Sequence, residues 1–277
     1  MTIGITRLVS QKMRSKYFDR IFYPKVQDFE QFPVDENCEK LSIDDENIAA
    51  QRVGTMVDLL TRAYLLHDED TFVNAKKGWS TYLKANPDTK PKLYDLLVDH
   101  VMEEIRKETP LDKLSKHFFE CAEWLAELED IYRGGNRVYH DQLRRIDCTT
   151  SDHVREMLRR SQLFFERYGN PTQINFHVAS KHGMVVGDGD YLNRDHLIDF
   201  KTSFDDPRTR IEYRLQLLLY YYLGYHRKTY SEFATIKGLI LFNPRTGIAE
   251  VCPVEKIEAL ADIGVSDVLY KLGESAF

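Results

Sequence analysis

Hydrophobic positions recur at two different periods along this chain. Residues 1 to about 41 show neither: Phe22, Tyr23, Phe29 and Phe32 are scattered among Pro24, Pro33 and many charges, so an irregular N-terminal arm packed on the main body is expected. Ser42-Ile43-Asp44-Asp45 has the form of a capping box. It predicts a helix from about 45 to 67, with Ile48, Val53, Met56, Val57, Leu60 and Tyr64 near helical spacing. Residues 68–168 read as further helices. One carries Leu93, Leu96, Leu97, Val98 and Val101, and a second carries Phe118, Phe119, Cys121, Trp124, Leu125 and Leu128. After the Gly134-Gly135 break, a third holds Val154, Met157, Leu158, Leu163 and Phe164.

At Gly169-Asn170-Pro171 the period changes to two. Strands are expected at 173–180, at 184–192 (interrupted by Gly187 and Gly189) and at 196–203, separated by short turns. A strongly apolar helix should span 209–226, followed by strands at 236–243 and 248–254 around the Pro244–Gly247 turn. The expected fold class is therefore α/β, with a central mixed sheet of about five strands flanked by helices and a helical subdomain beside it. The expected organisation is an arm (1–41), a first core helix (42–67), a helical insertion (68–168) and a core carrying the site (169–277).

Composition narrows the class. With 43% hydrophobic and 30% charged residues, the chain reads as an ordinary soluble protein. No apolar run approaches the ~18 residues a membrane span requires. Met1 to Lys16 lacks the continuous apolar stretch of a secretory signal, which points to the cytoplasm. Cys38, Cys121, Cys148 and Cys252 are too dispersed for a zinc ribbon or a C-x-x-C redox motif. The net charge of −6 argues against a protein coated in positive charge, but leaves room for a carboxylate metal site with a local basic groove.

The chemistry concentrates in Gly187-Asp188-Gly189-Asp190 and Leu197-Ile198-Asp199-Phe200-Lys201-Thr202. Alternate strand residues share a face, so Asp199 and Lys201 point one way and Ile198 and Phe200 the other. The preceding strand should pair with this one and bring Asp190 near Asp199. Two carboxylates so placed form a hard-oxygen site for Mg²⁺ or Mn²⁺, with the Phe200 carbonyl as a further candidate ligand. Lys201 is placed to orient an attacking water or to stabilise charge on a phosphate. D-x-K on a strand also occurs as a surface ion pair, and Asp190 beside two glycines also fits turn chemistry. Gln216 and Tyr220 lie one turn apart on the apolar helix. A buried Gln there requires a partner, in the site or at a strand edge. Arg208, Arg210 and Arg214 adjoin the site and are candidate nucleic-acid contacts. A second run, Arg133, Arg137, Arg144, Arg145, Arg155, Arg159, Arg160 and Arg167, is interleaved with fewer acids, among them Asp141. A solvated helix face is the plainer reading of either cluster.

Gly187-x-x-Asp190, Ile198-Asp-Phe-Lys-Thr202 and Gln216-x-x-x-Tyr220 resemble, in order and rough spacing, the motifs of the RecB-like branch of PD-(D/E)XK nucleases. The resemblance covers about residues 45–66 and 170–255. It implies a restriction-endonuclease-like core and metal-dependent hydrolysis of DNA, exonuclease-like, in repair, recombination or phage-related processing. It implies Asp190, Asp199, Lys201, Gln216 and Tyr220 as the catalytic set. The branch also carries G-x-x-x-H on an upstream helix. Here Gly54-Thr-Met-Val-Asp58 has Asp in place of His, which makes Asp58 a candidate metal ligand or a polar residue on the helix's exposed side. The cysteines of the iron–sulfur members are absent, so no cluster is expected. Other repair, recombination or phage proteins are candidate partners. The alternative is a catalytically inactive member of the fold that binds DNA or assembles a complex.

Overall fold

The computed structural model describes residues 2–18, 23–134 and 146–273. The elements formed among them, in chain order, are β1 (Ile3–Gly4), α1 (Ile5–Leu8), α2 (Gln11–Tyr17), β2 (Glu30–Pro33), α3 (Ala50–Leu66), α4 (Val73–Ala85), α5 (Leu93–Arg106), α6 (Lys116–Tyr132), α7 (Cys148–Tyr168), β3 (Gln173–Ala179), β4 (Val185–Leu192), β5 (His196–Phe200), α8 (Ile211–Arg227), β6 (Gly238–Asn243), β7 (Ile248–Pro253) and α9 (Glu258–Lys271). The protein is α/β and divides into two compact units. One comprises Met1–Cys38, Phe164–Asn243 and Gly247–Phe277; the other comprises Glu39–Leu163 and Pro244–Thr246.

The first unit is built on a mixed open sheet of seven strands rather than about five. The two additional strands come from the stretch expected to be an irregular arm. β1 runs parallel to β4, with Ile3 opposite Val185 and Gly4 opposite Val186. β2 runs antiparallel to β7, with Pro33 at its end where a missing N–H is tolerated. A two-residue strand and a four-residue strand ending in proline are too short to display a period. Phe22 of that stretch lies outside the described residues. The remaining order is β3–β4–β5–β6–β7, with only the β5–β6 pair parallel. β4 is continuous through Gly187 and Gly189, and β5 ends at Phe200 rather than near 203.

The two sheet faces are covered differently. Val178, Val185, Leu192 and Leu197 pack in one core with Leu215, Leu218, Leu219 and Tyr222 of α8 and with Ile5 and Leu8 of α1. Residues 214–224 of α8 are buried all round, as its apolar sequence requires. On the other face, Phe200 stacks with Phe165 and meets Tyr191, Phe164 and Phe242 at aromatic contact distances.

The second unit is helical. The capping signal at Ser42 is used one element early. Ser42 Oγ accepts from Asp44 N–H to close a single 3₁₀ turn, Glu46 is extended, and α3 starts at Ala50 instead of about 45. α3 is then fastened to α6 by charge. Arg52 meets Glu123, Glu127 and Asp130, and the buried Arg62 meets Glu129 and Asp58. α4 crosses α6 at Gly78, where an added Cβ would sit 1.7 Å from the Leu128 carbonyl oxygen.

That crossing predicts the first measurable consequence. A backbone carbonyl cannot retreat as a side chain can, so Gly78→Ala must part α4 from α6. A loss of about 1–3 kcal/mol or more is expected by denaturant unfolding, the range for overpacking a core. An unchanged midpoint would mean that the helices do not approach this closely.

Candidate active site

The site is placed by a change of pairing in the middle of the sheet. β4 and β5 are paired at Tyr191–Ile198 and Leu192–Leu197 and no further toward Asp190. Where the next backbone pair would form, the Asp190 side chain intervenes, and its Oδ2 accepts the Phe200 N–H at 2.7 Å. Opposite this point in β3, Asn175 adopts a left-handed conformation (φ 53°) and leaves the Phe176–Gly189 and Ile174–Tyr191 pairs intact on either side. The alternation of β4 shifts there: Gly189 faces Phe176 on the α8 side, whereas Tyr191 joins the aromatic cluster of the opposite face. Asp190 is the residue at the shift.

β5 then supplies the expected pair. Ile198 and Phe200 are buried on the aromatic side. Asp199 is 2% exposed, and its Oδ2 lies 2.5 Å from Lys201 Nζ. Asp199 is buried and Lys201 keeps 16% of its side-chain surface, so this is a largely buried ion pair and not the surface pair the motif alone permits. Lys201 continues past the strand end, with its N–H donated to the Phe242 carbonyl. Burial by itself would depress its ammonium. The charges of Asp199 and Asp190 outweigh that and hold it above the usual lysine value. Lys201 Nζ also stands 4.9 Å over the Tyr213 ring.

α8 closes the α8-side wall. Gln216 Nε2 donates to Tyr220 Oη at 2.6 Å and reaches Thr6 Oγ1 at 3.4 Å, and Tyr220 Oη donates to the Asp188 carbonyl at 2.7 Å. Burial first, and then the charges of Asp199, Asp190 and Asp188, keep the Tyr220 phenol protonated as a donor. The glycines of the Gly187-x-x-Asp190 motif acquire a steric reason. A Cβ at Gly187 would lie 2.6 Å from Ile5 Cδ1 and 2.7 Å from Tyr220 Cε1, and one at Gly189 would lie 2.0 Å from the Phe176 ring. Asp190, Asp199, Lys201, Gln216 and Tyr220 are thus brought into one neighbourhood.

The other candidates have partners within their own units. Asp58 belongs to the helical unit, where its carboxylate meets Arg62 Nη2 at 2.9 Å. Arg214 is buried, donates to the Pro24 carbonyl and stacks over Tyr23, which withdraws it from surface phosphate contact. Arg208 pairs with Asp206 and Glu250, and Arg210 with Asp205. In the second arginine run, Arg133, Arg155, Arg159 and Arg160 pair with acids of their own helices, and Arg167 donates to the Pro33 carbonyl. Gly135, Arg137, Asp141, Arg144 and Arg145 lie outside the described residues.

Three contributors carry weaker sequence signals. Tyr213 precedes Gln216 by three residues, so the helical period already put both on one face. Thr6 lies in the supposed arm and gave no signal. Glu250 is registered with Leu241, which is registered with Asp199, so it lies in the same row about 10 Å across the sheet.

The donor set fits a divalent cation. Two carboxylates face one ammonium, and no aligned hydrogen bond reaches Asp199 Oδ2 beyond the ion contact with Lys201. A buried Asp199 oxygen without a further aligned donor is costly, and hard oxygen donors suit Mg²⁺ or Mn²⁺. Comparison with protein-family models, with curated proteins and with solved structures found no match.

The row containing Glu250 yields a pH prediction. Burial and the adjoining Asp206 carboxyl push Glu250 up to about 8, while Asp206 is held low by its hydrogen bonds to Arg208 against the opposing effect of burial. An unfolded glutamate releases its proton near 4.5, so between 4.5 and about 8 the folded state binds more protons. Stability therefore falls as pH rises through that window. Glu250→Gln should flatten the decline and be the more stable protein at a pH of about 9, read from denaturant midpoints. Parallel pH profiles for the two proteins would contradict the assignment.

Proposed function

We propose that this chain is a metal-dependent DNA nuclease with a restriction-endonuclease-like core, of the PD-(D/E)XK kind that its motifs resemble. The observation that carries the reading is the largely buried Asp199–Lys201 pair beside Asp190, whose carboxylate replaces a backbone group in the β4–β5 ladder. An ion pair buried only for stability is a poor investment, because desolvation offsets most of its attraction. A site that must present two carboxylates and one ammonium at the parting of two strands has a chemical reason to keep them.

Asp190 and Asp199 would hold Mg²⁺ or Mn²⁺, with the Phe200 carbonyl as a further oxygen. When bound, such a cation polarises a phosphate and lowers the pKa of an attacking water. Lys201 keeps its proton and supplies positive charge where negative charge develops on the phosphate. Tyr220, itself held by Gln216, donates to the Asp188 carbonyl, which keeps β4 against α8 and fixes the approach of Asp190. Arg208 and Arg210 would have to exchange carboxylate partners for phosphates, so they act on substrate only after that exchange. Asp58, engaged by Arg62, is given no part. DNA is the proposed substrate, and repair, recombination or phage proteins are the proposed partners.

Cleavage should require Mg²⁺ or Mn²⁺ and stop in excess chelator. Lys201→Ala should retain Mn²⁺ binding by calorimetry and lose about 10²–10³ in single-turnover rate, the usual effect of removing a positioned charge-stabilising group. Asp199→Ala should lose Mn²⁺ as well. Arg at position 201 should not restore the rate, because a planar guanidinium does not replace a compact ammonium. Cleavage at the wild-type rate by Lys201→Ala would remove the nuclease reading. DNA binding without cleavage by the wild type would favour the inactive DNA-binding module.

A further inference from the structure

The helical unit holds a second group of metal-binding side chains, chemically unlike the first and independent of the nuclease reading. His100 lies on α5, and His117 and Cys121 lie one turn apart on α6. His100 and His117 have ring centroids 4.6 Å apart, and Cys121 Sγ is 3.7 Å from His117 Nε2. One ligand atom from each of the three residues falls within 4.8 Å of the others.

Two further features separate this group from ordinary packing. His100 Nε2 is buried without a hydrogen-bond partner, which is costly for an imidazole nitrogen unless something binds there. Glu120 Oε2 lies 3.5 Å from His117 Nδ1. A carboxylate at Nδ1 favours the proton there and leaves the Nε2 lone pair facing Cys121, the arrangement that orients metal-bound histidines. We propose that His100, His117 and Cys121 bind a zinc ion, with a fourth position open to water beside the exposed His117 ring.

Geometry and ligand softness both select zinc. Tetrahedral coordination with bonds of about 2.0–2.3 Å sets ligand atoms roughly 3.3–3.8 Å apart, which brackets the Cys121–His117 distance. The widest pair must close by about 1 Å, a shift the exposed His117 side chain can make by torsion. Two imidazoles and a thiolate suit Zn²⁺ far better than the Mg²⁺ or Mn²⁺ expected of oxygen donors. Burial pushes the free Cys121 thiol up to about 12, so the sulfur–metal bond forms as the S–H proton leaves to solvent. An ion here would cross-link α5 to α6.

The test uses the full chain, freed of metal and kept in Mg²⁺ to occupy the oxygen site. Co²⁺ is the probe. The wild type should show a thiolate-to-cobalt charge-transfer band that saturates at about one equivalent and is displaced by Zn²⁺. His117→Gln and Cys121→Ser should lose the band, while Cys148→Ser, at an exposed thiol, should keep it. Glu120→Gln should weaken Co²⁺ binding about 10–100-fold, as loss of an orienting partner does. Should Cys121→Ser fail to fold, His117→Gln at its exposed ring decides the matter. No charge-transfer band in the wild type, or an undiminished band in His117→Gln, would overturn the proposal.

Discussion

The parting of β4 from β5 at Asp190 is the constraint on which the candidate site depends. Two antiparallel strands that remained paired would direct their backbone groups at each other and leave no room between them. Here the ladder stops after Tyr191, and the Phe200 N–H is satisfied by a carboxylate instead of a carbonyl. β1 enters beside the other end of β4, pairing at Val185 and Val186 on the edge that β5 has left. The left-handed Asn175 and the two glycines allow this. Asn175 supports the shift in alternation, and Gly187 and Gly189 admit Tyr220 and the Phe176 ring to within contact of the backbone.

Charge is handled differently in the two units. Between α3 and α6, two arginines gather five carboxylates: Arg52 faces three acids of α6, Arg62 faces Glu129 of α6 and Asp58 of its own helix, and several of these contacts are buried. Such a network locks one helix register, and its cost is limited because each charge has partners. In the sheet unit the cluster is smaller and sits where a strand ends. Asp190 and Asp199 outnumber Lys201, and the ammonium is held by them more firmly than burial would allow. Carboxylates that hold a neighbouring ammonium in this way are the kind of coupled titratable groups among which functional sites are sought.

Much of the candidate site could be read before the fold was known, for specific physical reasons. The period-two run Leu197–Lys201 assigned Ile198 and Phe200 to one face and Asp199 and Lys201 to the other, and the structure places them so. The all-apolar character of α8 implied burial, and burial implied a partner for Gln216, which is Tyr220 one turn away. What could not be read is non-local. β1 spans two residues and β2 four, so neither shows a period, and both are strands only because β4 and β7 offer them edges. The Ser42 signal was real but capped a single turn, since capping chemistry does not report helix length. Asp58 kept the frame of a motif, yet its carboxylate lies against Arg62, a pairing visible in the i, i+4 spacing though not in the motif. Arg214 showed the same ambiguity: a cation in a basic cluster, buried on a carbonyl and a tyrosine ring.

The central claim is that Asp190 and Asp199 share one divalent cation beside Lys201. Crystals soaked in Mn²⁺ and measured at the manganese absorption edge test it without reliance on a substrate or a turnover. The account predicts an anomalous peak within about 2.0–2.3 Å of a carboxylate oxygen from each residue, and its loss in Asp199→Ala. A well-ordered crystal with both carboxylates visible and no manganese between them would contradict it.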